Sequence, residues 1–109
     1  MGEVRVVDRG AREIVVFLSG DIDEQITAAL HAAVAEVAEL ESIGGLSHAV
    51  VDMHGVTTLD EPGLAFLHEL TQRGRRSGFE VSYSAMSGPA HRAVEAAGWS
   101  FVESSPPPS

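Results

Sequence analysis

Cysteine, lysine and asparagine are all absent from this sequence of 109 residues. Without cysteine, disulfides and thiolate metal sites are excluded, and no apolar run approaches the length of a membrane span. Aspartate and glutamate outnumber arginine by 16 to 7, which gives a formal net charge of −9. Proteins that bind nucleic acids or anionic membranes present a basic surface to them, which an acidic chain does not favour. We therefore expect a cytoplasmic domain with no nucleic-acid partner and no insertion into a membrane.

Runs of β-branched residues alternate along the chain with stretches of helical periodicity. Glycine, proline and aspartate mark the boundaries between them. The chain is predicted to begin with a hairpin of strands at 4–7 and 14–18 with Gly10 in its turn, followed by a helix from an Asp23 N-cap to about Leu40. A short strand at 49–51, a loop and a helix after Pro62 come next. The last predicted elements are a strand at 79–84, a helix at 89–97 that stops at Gly98, and a strand at 100–102.

The order ββαβαβαβ predicts one α/β domain over residues 1–103. Its mixed sheet should contain four or five strands, with the helices mainly on one face. The first strand of the hairpin should be antiparallel and lie at an edge of the sheet. Residues 104–109 consist of serine and proline and are predicted to form a disordered tail.

Three local motifs resemble the STAS family, which contains anti-sigma-factor antagonists and their relatives. The first is the strand end Leu18-Ser19-Gly20-Asp21-Ile22-Asp23, and the second is the strand-to-helix junction from Val50 to Leu64. The third is the strand entry from Gly78, followed by a helix that ends before Trp99. The resemblance runs from about residue 4 to residue 102 and implies the fold described above.

The second motif departs from the family at its phosphorylation site. In members that switch, a kinase anti-sigma factor phosphorylates the serine immediately before the glycine that opens the second helix. Pro62 occupies that position here, and Glu61 occupies the preceding serine position. Because proline has no hydroxyl, the resemblance implies that the usual phosphoserine switch is lost. Glu61 is either a favourable acid in a first helical turn or a mimic of the phosphorylated state.

The resemblance also implies that partners bind at the start of the second helix and on the loop before the first. We expect Asp23 and Asp60 to cap their helices as well. Phe66 lies off the main apolar stripe, so it is either a core residue or an exposed aromatic that suits a partner or a homodimer contact. The candidate partner-binding residues are Asp21, Asp23, Glu24, Thr58, Asp60, Glu61, Pro62, Gly63 and Phe66.

These observations together indicate a non-enzymatic protein-interaction module. The resemblance implies an anti-sigma factor or a kinase-like regulatory protein as the partner, in bacterial regulation of sigma factors and transcription. The clustered acids favour a basic partner surface. Two alternatives stay open: a STAS subunit of a transport complex that binds its ATPase, and a small-ligand-binding STAS domain.

No cofactor, metal or catalytic group is predicted. Paired carboxylates do acid–base chemistry in a cleft that shifts one pKa, whereas the acids here lie at helix caps. The five histidines lack the spacing of metal ligands. Thr57 and Thr58 are more simply explained by local hydrogen bonding than as alternative phosphorylation sites.

Overall fold

The computed structural model describes residues 2–97. Within that range the chain order is ββαβαβα, as predicted. The predicted helix stop at Gly98, the strand at 100–102 and the tail at 104–109 lie outside the described residues. The elements are β1 (Glu3–Gly10), β2 (Glu13–Ile22), a 3₁₀ turn (Glu24–Ile26), α1 (Thr27–Gly44), β3 (His48–Leu59), α2 (Glu61–Ser77), β4 (Glu80–Met86) and α3 (Gly88–Ala96).

The four strands form one mixed sheet in the order β1-β2-β3-β4. β1 is antiparallel to β2, whereas β3 runs parallel to both β2 and β4. The predicted antiparallel edge strand is therefore confirmed. Ala11 and Arg12 connect β1 to β2, and both have positive φ, at 54° and 64°. Two positive φ values in succession match the right-handed twist of a hairpin.

The helices pack on one face of the sheet and enclose a single hydrophobic core with it. Val16, Val51 and Leu67 are completely buried in this core. On the opposite face, Phe17 is 37% exposed, and the Arg5 guanidinium lies 6.0 Å from the centre of its ring. Among residues 2–97, no helix combines the length and the apolar character needed to cross a membrane.

The strand that leads to α2 is much longer than the sequence predicts. We expected a strand at 49–51 and then a loop, but β3 continues to Leu59. It does so because β2 extends to Ile22 and pairs with β3 along its length, with the register shifting between Phe17 and Ser19 and again between Gly20 and Asp21. The predicted loop was therefore wrong, and α2 begins directly at the end of a strand.

Ser87 joins the start of α3 to the sheet. Its Oγ accepts a hydrogen bond from Ala90 N at 3.2 Å and donates one to Val56 O at 2.7 Å.

Ser87→Ala should lower the free energy of unfolding by about 1–2 kcal/mol, because the helix loses its cap and a carbonyl loses its donor. Urea unfolding measures this change. Ser84→Ala is the control, since Ser84 is exposed on β4 and should change stability by less than about 0.5 kcal/mol. Equal effects of the two substitutions would contradict the capping role.

Candidate functional site

The starts of two helices meet at one edge of the sheet. β2 and β3 are parallel and end together, with Asp21 paired to Thr58 and Ile22 paired to Leu59. A helical segment follows each strand at once. Asp60 N donates a hydrogen bond to Ile22 O at 2.9 Å, which holds the start of α2 against the end of β2. The topology therefore brings the acidic candidate residues of both junctions together.

Asp23 caps the first of these segments. Its Oδ1 accepts a hydrogen bond from Gln25 N at 3.0 Å. The cap expected from the sequence is present, but it opens the 3₁₀ turn, and α1 itself begins only at Thr27.

Asp60 occupies the N-cap position of α2, but its side chain makes no capping hydrogen bond. The predicted cap was therefore wrong, and the neighbouring residues explain why. A capping side chain accepts from the second or third N–H of the helix. The second residue is Pro62, which has no N–H, and Gly63 N already donates to Asp60 O at 3.0 Å. The carboxylate is exposed and available for a contact outside the domain.

An acidic depression lies between the two helix starts. It has a volume of about 470 Å³ and is lined by Asp23, Glu24, Gln25, Asp60, Glu61 and Pro62. Four of these six residues are acidic and none is basic, so the surface favours a cationic group. Within residues 2–97, no group of three or more histidine, aspartate or glutamate side chains is arranged to hold a metal ion.

Asp21 lies near the end of β2 and is hydrogen-bonded to the end of β3. Its Oδ1 accepts hydrogen bonds from Thr57 Oγ1 at 2.7 Å and from Thr58 Oγ1 at 3.1 Å. These bonds lower the pKa of the Asp21 carboxyl below its ordinary value of 3.8, because they stabilise the charged form. The local hydrogen bonding expected of the two threonines is present.

Thr57→Val should raise the pKa of Asp21 towards 3.8, because the hydroxyl with the shorter hydrogen bond is removed. A carboxyl with a lowered pKa stabilises the fold above its unfolded-state pKa, and the stabilisation is lost as the pH falls through the folded-state pKa. The substitution therefore reduces stability above about pH 4. The stabilisation by Asp21 that remains is then lost at a higher pH than in the unmodified chain. Titration of the Asp21 carboxyl carbon by NMR measures the pKa. Thr71→Val, whose hydroxyl bonds to Leu67 O, should leave the titration unchanged.

Gly63 and Phe66 face the interior. Gly63 is buried where α2 approaches the ends of β2 and β3. Phe66 is 3% exposed and belongs to the core. The alternative of an exposed aromatic at Phe66 was therefore wrong, and its neighbour Ala65 is the exposed residue.

A second concave surface, which we call the α1–α2 groove, was missed by the sequence reasoning. It has a volume of about 330 Å³ and lies between α2 and the first half of α1. Helical spacing in α1 and α2 could have identified its two walls, but not that they face each other. The residues that line it are Glu24, Thr27, Leu30, His31, Val34, Glu61, Pro62, Ala65, Phe66 and Glu69.

The sequence matches the family described as "Mlab, STAS domain" over residues 6–101. Since the match extends over most of the chain, the protein belongs to the STAS domain family, as the three motifs predicted. No curated protein matches the sequence.

Solved structures share the fold. The anti-sigma factor antagonist SpoIIAA in its unphosphorylated form superposes with a TM-score of 0.74 at 11% identity, covering 88% of this chain and 81% of that chain. An anti-sigma factor antagonist from Mycobacterium paratuberculosis superposes with a TM-score of 0.68 at 28% identity, covering 90% of this chain and 79% of that one. The predicted α/β architecture with helices mainly on one face is therefore confirmed.

Proposed function

We propose that this STAS domain is a non-enzymatic module that binds an anti-sigma factor or a related kinase-like protein in the bacterial cytoplasm, and that serine phosphorylation does not control it. The similarity at 28% identity to an anti-sigma factor antagonist supports the class of partner. The acidic depression between the helix starts supports the place of contact, since partner recognition favours complementary charge.

The start of α2 carries the proposal. It exposes the carboxylates of Asp60 and Glu61, and the following residue, Pro62, has neither a hydroxyl nor an N–H. A kinase partner bound at this surface finds no acceptor at the position that matches the family's phosphoserine. Binding there is therefore independent of ATP hydrolysis by the partner.

The experiment pairs the full chain with each kinase-like anti-sigma factor of the source genome. Complexes are detected by size-exclusion chromatography with and without Mg-ATP, and the mass of the chain is measured by intact mass spectrometry. We expect one partner to stay bound in Mg-ATP with no increase in the mass of the chain. Phosphate transfer onto the chain would refute the loss of the switch, and failure of every such partner to bind would refute the proposed class.

A double substitution tests whether the loss is confined to the helix start. In Glu61→Ser/Pro62→Ser, both family serines are restored while Asp60 and Gly63 stay in place. We expect the partner to phosphorylate this variant and to release it. Copurification of the unmodified chain with a transporter ATPase, and not with an anti-sigma factor, would favour the transport alternative.

A further inference from the structure

The α1–α2 groove combines an apolar floor with an acidic rim. Leu30, Val34 and Phe66 form the floor, and all three belong to the hydrophobic core. Glu24, Glu61 and Glu69 lie around them with exposed side chains. No arginine is among the lining residues, and His31 is the single histidine among them. The groove therefore offers an apolar surface within a negative field.

The size of the groove limits what can occupy it. Its volume of about 330 Å³ equals that of roughly ten water molecules at about 30 Å³ each. This is room for one large apolar side chain, or two small ones, entering from outside. Pro62 and Ala65 contribute apolar atoms to the wall formed by α2. An anchoring side chain that enters here contacts the same helix start that the proposed function uses.

We infer that the α1–α2 groove receives a basic segment of the protein partner, with one aliphatic or aromatic side chain inserted and lysine or arginine residues on either side of it. This inference rests on the proposed function and specifies the chemistry of the partner. Charge complementarity selects this occupant, because three exposed glutamates line the groove together with its apolar residues and no arginine is among the lining residues. An amphipathic segment laid into a groove between helices is a common mode of recognition.

The rim and the floor have separate roles in this arrangement. The floor supplies affinity, because the inserted side chain loses its contact with water. The carboxylates increase the association rate and determine which partners bind, and added salt weakens both effects. An acidic segment with the same apolar anchor is therefore rejected.

The first experiment uses the full chain labelled with nitrogen-15. The probe is a synthetic peptide with leucines at i and i+4 and with lysine and arginine at its other positions, and the comparison peptide has glutamate in place of the basic residues. Both are titrated at physiological salt. We expect amide shifts from the basic peptide to cluster on the groove, with no binding of the acidic peptide. Equal binding of the two peptides, or shifts spread over the open face of the sheet, would overturn the inference.

Matched variants separate groove binding from general charge attraction. Ala65→Trp fills the groove and should weaken the peptide about tenfold or more. Ala35→Trp places the same side chain at an exposed position of α1 outside the groove and should have no effect. Glu69→Gln should weaken binding roughly two- to fivefold, as expected for one exposed ion pair. Glu39→Gln removes the same charge from a position that lines no part of the groove and should change the affinity much less.

Two further outcomes distinguish this inference from the proposed function. If an anti-sigma factor binds the unmodified chain and Ala65→Trp equally well, the groove inference fails while the proposed function stands. If no anti-sigma factor binds, the proposed function fails, and the peptide titration still decides whether the groove recognises basic segments. Binding of a small alkylguanidine as tightly as the peptide would overturn the inference in favour of a small-ligand site. Thermal melting of each tryptophan variant checks that it is folded.

Discussion

Gly63→Ala should lower the free energy of unfolding by about 2 kcal/mol. The added Cβ would lie 2.5 Å from Leu59 Cδ1 and 2.6 Å from Ile22 Cγ2. Both neighbours are buried, so neither can move aside without disturbing the core. Overpacking of this kind costs about 1–3 kcal/mol and occasionally more, and the better helix propensity of alanine offsets at most about 1 kcal/mol of it. Equilibrium unfolding in urea measures the difference.

Gly44→Ala is the matched control for this prediction. Gly44 is also helical, at the end of α1, and a Cβ there would meet nothing within 4 Å. The substitution should therefore leave stability unchanged or raise it by up to about 1 kcal/mol. If both alanine variants lose the same stability, the close approach of α2 to the strand ends is not what requires glycine at position 63.

Asp60→Lys should weaken binding of the proposed anti-sigma factor partner by about tenfold or more, while the domain stays folded. The Asp60 carboxylate makes no capping hydrogen bond, so its removal costs the helix little. A lysine beside the positive end of the helix dipole reduces stability by about 0.3–1 kcal/mol. The same change reverses the charge at the centre of the proposed contact, where like charges repel a basic partner. Isothermal titration calorimetry measures the affinity, and urea unfolding measures the stability.

Glu39→Lys controls for the overall change of charge. Glu39 is exposed on α1 and lines none of the concave surfaces described above. Its substitution changes the net charge by the same amount as Asp60→Lys. A similar loss of affinity in both variants would indicate long-range attraction to an acidic domain and would contradict a contact at Asp60.

The fold could be predicted from the sequence because its periodic segments are long and follow the order of an α/β domain. The order of strands and helices was right over residues 2–97, but several boundaries were wrong. The helix predicted from Asp23 to about Leu40 opens with a 3₁₀ turn, and α1 runs from Thr27 to Gly44. Residues 52–59 contain polar residues and a glycine, so they suggest a loop. They form a strand because β2 is present alongside them up to Ile22. Pairing with a distant segment is not visible in local periodicity.

The acidic site was predictable, and its details were not. The family resemblance placed partner binding at both helix starts, at Asp23 and Asp60. The structure brings these two junctions together because β2 and β3 are parallel and end side by side. The role of an acidic side chain at a helix start depends on which backbone N–H groups are still free to donate to it. The Gly63 N–H already donates to a backbone carbonyl, and Pro62 has no N–H. The Asp60 side chain therefore finds no donor to cap. Burial of Phe66 likewise depends on how α1 and α2 pack together, which a single helical stripe does not specify.

The strands of the sheet lie in the order in which they occur in the sequence. Each strand can therefore join the edge of a sheet that already exists, and no strand has to be inserted between two others. During synthesis, the sheet can grow one strand at a time as the chain leaves the ribosome, since each described pairing joins a strand to the one before it. The residues that line the acidic depression all lie between Asp23 and Pro62, so the depression can form before β4 and α3 have left the ribosome. The surfaces proposed for partner binding are thus lined by residues that all precede β4 and α3.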